Sequence, residues 1–397
     1  MQHFYIETFG CQMNVLDSEL VGTALTQAGM QRTNTAQEAD VILFNTCSVR
    51  QHAEEKVYSE LGRLKIWKEA KPQRLLGVLG CMAQKDQKHI FRRAPHVDFV
   101  LGPGRLEDLV DRITVYTESE TSDTDSLNNR INVSLPRADN HYIEVLESFR
   151  QYNPERVIVN GNAQDSPTLV RIMFGCDKFC SYCVVPFVRG PEQSRPPQDI
   201  MNEVQHLAEQ GIAKITLIGQ TVNSYTYRGG GVQTRLADLL YCLSDITGIE
   251  QIDFVTNYPL GMDEHLIQAV RDLPKVFKHL HIPAQSGSDS VLRRMNRHYT
   301  SEQYREMTDR IYSTIPGATI TSDFIVGFCG ETDDDFERTI ELVEHCRFRN
   351  SFIFKYSERA GTKAAELYAD DVPEYVKKYR NNRLLDIQIA ISRSGRS

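Results

Sequence analysis

Between Thr168 and Ser357 the chain repeats one pattern. Strand-length runs "LVRIMF", "KITLIG", "QIDFVT", "HLHIPA", "TITSDFIVGF" and "SFIFKYS" alternate with "PPQDIMNEVQHLAEQG", "TRLADLLYCLSDITG", "MDEHLIQAVRDL", "SEQYREMTDRIYST" and "DDDFERTIELVEHC". The second set carries apolar residues at helical spacing. Strands separated by helices pair in parallel, because a parallel return needs a long crossover of one hand. Six such units fall short of the eight that close a barrel, so an open, partial (β/α)6 barrel is expected, with its site at the carboxyl ends of the strands.

The first part of the chain has a related rhythm. "HFYIETFG", "DVILFNTC", "RLLGVLGC" and "VDFVLGPG" read as strands with helical segments between them. This predicts a Rossmann-like α/β domain with a mostly parallel sheet over residues 1–118. A polar, acidic stretch beginning "TESETSDTDSLNNRINVSLPRADN" marks a linker over 119–166, and the barrel domain then runs over 167–397.

Composition narrows the class. No apolar run is long enough to span a membrane, and the N-terminus lacks the basic and apolar regions of a secretory signal. Nine cysteines, an odd number without such a signal, argue for cytosolic thiols rather than a disulfide framework. A cytoplasmic protein with no membrane partner is expected. The net charge of -8 argues mildly against nucleic acid, although a local basic face is compatible with it. The basic stretch near the C-terminus reads as a solvated helix face.

Six cysteines fall into two trios. Cys176, Cys180 and Cys183 form C-x3-C-x2-C in the loop after the first barrel strand. A structural zinc site would want a fourth Cys or His, and the nearest, His206, lies inside a predicted helix. A redox dithiol would leave Cys176 unexplained. Three thiolates can hold three irons of a 4Fe–4S cluster and leave the fourth open, and this is the leading reading, with zinc and structural thiols as alternatives. Cys11, Cys47 and Cys81 lie 34 to 36 residues apart, each at or just past the end of a predicted strand. Neighbouring parallel strands would bring them to one sheet edge. A second cluster with one open iron is the leading reading there, against three buried apolar thiols.

The loop "GCDKFCSYC", with Tyr182 before the last cysteine, resembles the signature of radical S-adenosylmethionine (SAM) enzymes. "ETFGCQMNVLDSE", "FNTCSVRQHAEEK", "GVLGCMAQ", "GCDKFCSYCVVPFVRGPEQSRP" and "HIPAQSGSDSVLRRMNRHYT" together resemble the methylthiotransferase family of those enzymes, over about residues 3 to 390. "CQMN" and "NTCSVR" point to the branch acting on dimethylallyl-adenosine in tRNA. The resemblance implies a methylthio group added to carbon 2 of N(6)-dimethylallyladenosine at position 37 of tRNA. It implies two 4Fe–4S clusters and two SAM molecules per turnover. One SAM gives a 5′-deoxyadenosyl radical that takes the hydrogen from carbon 2; the other methylates a sulfur on the auxiliary cluster. Both open irons would face one cavity, and the base would be unstacked from the anticodon stem-loop to enter it. A low-potential flavodoxin or ferredoxin would supply electrons to a monomeric enzyme. The alternatives are a sister enzyme acting on threonylcarbamoyl-adenosine or on a ribosomal-protein aspartate, and a non-catalytic, metal-stabilised RNA-binding module.

Other site residues follow from position. Tyr182, Glu192, Gln220, Asn223, Thr256, Gln285, Ser286 and Asp323 stand near strand ends or the cluster loop and are candidates for SAM. Arg189 and Arg195 are candidates for RNA phosphate. His279 and His281 read as satisfied strand histidines, Trp67 as a packing residue, and "RGGG" at 228–231 as a turn. Two departures from the family stand out. Cys329 occupies a position where Pro is common and reads as a packing residue. By the resemblance a small C-terminal RNA-binding β-barrel (TRAM) would follow about where "ISRSGRS" stands, and it is expected to be absent from this chain.

Overall fold

The fold is described from a computed structural model covering residues 2–48, 51–118, 130–133 and 167–394. The chain divides into two compact units. One comprises 1–160 with 184–191; the other comprises 161–183 with 192–397. Each is treated separately.

The first unit is built on an all-parallel sheet. Its strands are β1 (His3–Thr8), β2 (Gln31–Arg32), β3 (Val41–Thr46), β4 (Leu75–Gly80), β5 (Phe99–Leu101) and β6 (Ile131–Asn132), in the order β2-β1-β3-β4-β5-β6. Every residue of β3 and β4 is buried, so both strands are apolar on both faces, as a parallel sheet covered by helices requires. Helices Gln12–Gln27, Gln51–Ala70 and Cys81–Asp86 make the crossovers. Phe44, Val57, Leu61, Leu76, Val78, Met82 and Val100 form the core. Trp67 joins it, with Arg74 over its ring at 4.9 Å, which is the packing role expected. Two edge strands were not anticipated: β2 is only two residues long, and β6 falls within the expected linker. Most of that linker lies outside the described residues.

The second unit carries all six expected strands and all five expected helices. They are β7 (Thr168–Arg171), continued by β8 (Met173–Phe174), β10 (Lys214–Ile218), β13 (Gln251–Phe254), β14 (His279–His281), β15 (Thr319–Val326) and β16 (Asn350–Lys355). All pairs among the barrel strands are parallel, in two three-stranded runs, β13-β10-β7 and β14-β15-β16. Capping chemistry sets the helix starts. Thr300 with Gln303, and Thr332 with Asp335, form reciprocal capping boxes at helices Ser301–Thr314 and Asp333–Cys346. The "RGGG" turn joins β11 (Thr226–Gly229) to β12 (Val232–Arg235) in an antiparallel hairpin. Gly230 and Gly231 both have positive φ, as a two-residue turn of the favoured hand demands.

The basic C-terminal stretch is helix Glu374–Ser394. It is not simply a solvated face, because Lys377 and Arg380 are buried. They pair with Asp370 at 2.5 Å and Glu331 at 2.8 Å. Cys329 is buried with Phe328 and Tyr356, so its place is in the core.

Candidate functional site

In the first unit the strand order makes β1, β3 and β4 direct neighbours. Cys11, Cys47 and Cys81 follow their carboxyl ends within three residues, so the three loops meet at one sheet edge. Two glycines allow the close approach. Gly10 and Gly80 precede Cys11 and Cys81 with φ of 135° and 92°. A Cβ on Gly10 would stand 2.5 Å from the Cys47 Cβ, and one on Gly80 would stand 2.5 Å from the Thr46 carbonyl oxygen.

A buried polar network holds these loops. The Asn14 amide donates to Asn45 Oδ1 and to the Thr46 carbonyl, both at 2.9 Å, and the Asn45 amide donates back to the Asn14 carbonyl at 2.9 Å and to Ser18 at 3.0 Å. The Cys11 thiol donates to Asn14 Oδ1 at 3.3 Å. Its pKa is lowered to about 6 by a hydrogen bond from Cys47, by the Arg189 charge and by the backbone amides of Asn14 and Met13 at the start of helix Gln12–Gln27. Burial pushes the Cys81 thiol up, against the pull of Arg189.

In the second unit β8 and β9 (Gln193–Ser194) pair antiparallel and clamp the stem of the loop that carries the other trio. The loop is pinned by residues 294–296. Ser181 bonds the carbonyls of Arg294 and Met295 at 2.7 and 2.9 Å, and Asn296 donates to the Phe179 carbonyl at 2.9 Å. Phe179 takes a left-handed backbone and is substantially exposed. Cys176 lies 3.6 Å from the Thr221 hydroxyl, and burial raises its pKa. Arg297 donates to Cys180 Sγ at 3.3 Å. That guanidinium is buried between the rings of Tyr258 and Tyr299 and also donates to the Tyr299 hydroxyl at 2.9 Å and the Pro283 carbonyl at 3.1 Å.

The donor sets fit sulfur-ligated iron. Each trio offers soft sulfur ligands on loops. Among the described residues, no group of three or more His, Cys, Asp or Glu is placed to hold a metal ion as the side chains stand. Three thiolates suit a 4Fe–4S cluster because each can take a different iron and leave the fourth open, whereas a structural zinc site wants a fourth ligand.

The SAM candidates separate into two groups. Asn223 spends its amide on the backbone of Tyr258, donating to the carbonyl and accepting from the N–H, both at 2.8 Å. Ser286 is buried, with its hydroxyl 3.3 Å from Thr339 and accepting from the Ser288 N–H at 3.2 Å. Tyr182 is packed against the core around Val291 and Phe328, and Glu192 pairs with Lys178 at 3.3 Å. By contrast, Gln220 follows the end of β10, and Asp323 on β15 stands 3.5 Å from His281 Nε2. Thr256 and Gln285 occupy the left-handed region at φ of 68° and 69°. A β-branched residue there is a genuine outlier, and such strain clusters at ligand sites. His279 and His281 are bonded to Thr319 and Thr321 at 2.8 and 3.0 Å.

Neither arginine expected on RNA stands on an open surface. Arg195 is bound to Glu203 at 2.7 Å and to the Arg171 carbonyl. Arg189 is buried in the first unit, where it meets Asp17 at 2.9 Å. Sequence reasoning missed Asn14, Asp17, Asn45, Thr221 and Arg297. Asn14 and Asp17 were legible only as polar residues on a helix side that turned out to be buried.

Comparison with known proteins accords with this arrangement. Residues 3–102 match "Uncharacterized protein family UPF0004", and residues 170–343 match the "Radical SAM superfamily". A tRNA-2-methylthio-N(6)-dimethylallyladenosine synthase of Rhodopirellula baltica is 53% identical over 391 residues, spanning 98% of this chain and 80% of the relative. The protein of that name from Chromobacterium violaceum is 44% identical, spanning 98% of this chain and 83% of the relative. Among solved structures, the radical S-adenosylmethionine methyltransferase TsrM of Kitasatospora setae matches with a TM-score of 0.62 at 12% identity, over 89% of this chain and 73% of that one. The cobalamin-dependent S-adenosylmethionine radical enzyme OxsB matches with a TM-score of 0.58 at 12% identity, over 99% of this chain and 56% of that one. At such identity these two show the fold alone.

Proposed function

We infer the reaction from one premise: this chain belongs to the tRNA-2-methylthio-N(6)-dimethylallyladenosine synthase family. It is a radical SAM methylthiotransferase that adds a methylthio group to carbon 2 of N(6)-dimethylallyladenosine at position 37 of tRNA. Carbon 2 is unactivated toward polar substitution, which is why radical chemistry is needed. In this reading Cys176, Cys180 and Cys183 hold one 4Fe–4S cluster, and Cys11, Cys47 and Cys81 hold a second. When bound, the clusters and SAM would supply the electron, the 5′-deoxyadenosyl radical and the methylated sulfur that the protein cannot make from its own side chains.

The chain's own residues set the geometry. The β8–β9 clamp and the bonds from Ser181 and Asn296 fix the first trio. Asn14 and Asn45 fix the loops of the second. Thr256 and Gln285 present strained backbone beyond the strand ends, Gln220 follows the end of β10, Asp323 faces His281 from within β15 rather than from its end, and these four are the favoured SAM contacts. The tRNA loop would be bound with its target base unstacked, the usual mode for chemistry on a base. A flavodoxin- or ferredoxin-type donor, a monomeric state and a cytoplasmic location complete the reading. Among the described residues no helix is long and apolar enough to cross a membrane.

The observation that carries the two-cluster reading is that Cys11, Cys47 and Cys81 each follow the carboxyl end of one of three adjacent strands, a placement that apolar packing does not require. Anaerobic reconstitution should give about eight irons and eight sulfides per chain. Replacing Cys176, Cys180 and Cys183 by Ala should remove half the iron and all 5′-deoxyadenosine formation. Hypomodified tRNA bearing dimethylallyladenosine should gain the methylthio group, and tRNA bearing threonylcarbamoyl-adenosine should not. SAM cleavage by the triple variant, or the opposite tRNA preference, would sink the assignment.

A further inference from the structure

Arg189 is placed where a contact with RNA phosphate is impossible without rearrangement. It belongs to the segment 184–191, which is part of the first unit. Val184 and Val188 of that segment pack with Cys81 in a small apolar cluster. The guanidinium donates two hydrogen bonds, from Nη2 to Asn14 Oδ1 at 3.4 Å and from Nε to Cys81 Sγ at 3.1 Å, and its Nη1 forms an ion pair with Asp17 Oδ2 at 2.9 Å. Asn14 Oδ1 is also the acceptor of the Cys11 thiol. Once Cys11 binds iron as a thiolate that donor is gone, and the Arg189 N–H remains to satisfy the same oxygen.

A buried cation is tolerated only when its charge and its donors are matched. Asp17 supplies one negative charge, and the remaining donors point at sulfur and at the asparagine between two cysteines. We propose that Arg189 is a positioning residue of the auxiliary cluster: it hydrogen-bonds the Cys81 sulfur, holds Asn14 beside Cys11, and so retains the cluster and raises its reduction potential. Hydrogen bonds to cluster sulfur are an established lever on potential, and outer partners of metal ligands govern affinity. The proposal rests on the two-cluster reading above.

The test uses the full chain with Cys176, Cys180 and Cys183 replaced by Ala, so that only the auxiliary site binds iron. Arg189→Met alone would take the facing cation away from the buried Asp17 carboxylate, so it is combined with Asp17→Asn, which removes both charges together and spares the fold. The expected result is loss of iron to a chelator about tenfold faster or more, with a more negative midpoint potential. Arg189→Lys should fall between, because it keeps the charge without the fork of donors. If the double variant keeps the parent's iron and potential, Arg189 is merely the structural partner of Asp17 and the proposal fails. If the parent itself binds no iron, the two-cluster reading fails first and takes this inference with it.

Discussion

In the first unit, Cys11, Cys47 and Cys81 come from loops 34 to 36 residues apart; in the second, Cys176, Cys180 and Cys183 share one loop. The distant trio exists only when β1, β3 and β4 are paired, and it needs glycines at Gly10 and Gly80 and the buried Asn14–Asn45 network. The local trio is nearly given by its spacing and needs only a pinned loop. Each trio also has one buried arginine on a sulfur, Arg189 on Cys81 and Arg297 on Cys180. The two cations are balanced differently. Arg189 faces the Asp17 carboxylate, whereas the contacts of Arg297 are tyrosine rings, a hydroxyl and a carbonyl. Carboxylate pairing cancels a charge, whereas a π face leaves most of it to act on the neighbouring sulfur.

The sharpest way to break the comparison is to empty one site and watch the other. Replacing Cys11, Cys47 and Cys81 by Ala should abolish methylthiolated tRNA while 5′-deoxyadenosine still forms. Methylthiolation by that variant would show that Cys11, Cys47 and Cys81 take no part. The next effect concerns the differently balanced cations. Arg297→Met should lower SAM cleavage and speed iron loss from the second unit by about 10- to 100-fold. Arg297→Lys should recover part of this, because an ammonium keeps the charge but cannot serve Cys180, Tyr299 and Pro283 together. Equal iron retention in Arg297→Met and parent would reduce Arg297 to a packing residue.

Much of this was legible in the sequence because strand ends are legible. Apolar runs such as "VILF" and "LLGVLG" fixed where β3 and β4 stop, and the cysteines follow directly. What was hidden is the side on which a polar residue lies. Asn223 and Ser286 have the same strand-end signature as Gln220, yet their polar atoms serve the backbone and Thr339, while Asp323 lies within β15 rather than near its end. Arg189 sits six residues after Cys183 in the chain but belongs to the other unit, because Val184 and Val188 find an apolar partner in Cys81. Such pairings depend on tertiary neighbours, which residue spacing does not encode.

Glycine offers a smaller, structural contrast. Gly80→Ala in the first unit combines a left-handed φ with a Cβ 2.5 Å from the Thr46 carbonyl oxygen and 2.6 Å from Asn45 Oδ1. It should cost about 3 kcal/mol. Gly211→Ala in the second unit has a similar φ of 86° and nothing within 4 Å, so only the backbone term of about 1 kcal/mol applies. Urea unfolding of each variant measures the difference, and equal losses would mean that the Cys81 loop yields freely.

The smallest expected effect contrasts two half-buried acids. Asp98 in the first unit accepts from Lys68 at 2.7 Å and from the Leu76 N–H at 2.7 Å. Asp253 on β13 accepts from the backbone of Phe254 at 2.7 Å, and burial raises its pKa from 3.8 to about 6. Below pH 3.8 Asp253 is protonated whether folded or unfolded, and its full contribution to stability is present. As pH rises from there, the unfolded chain gives up its proton first, and stability falls until the folded group ionises near pH 6. The shift corresponds to at most about 3 kcal/mol, and partial access to water reduces this to about 1–2 kcal/mol. Asp253→Asn keeps the acceptor for Phe254 and removes the charge. It should therefore flatten the stability profile between pH 4 and 6 and leave the protein more stable at pH 7. Burial raises the Asp98 pKa as well, against the pull of Lys68, whereas Asp253 has only the Phe254 N–H to oppose it. An unchanged slope in that window would mean that Asp253 is solvated in the folded chain.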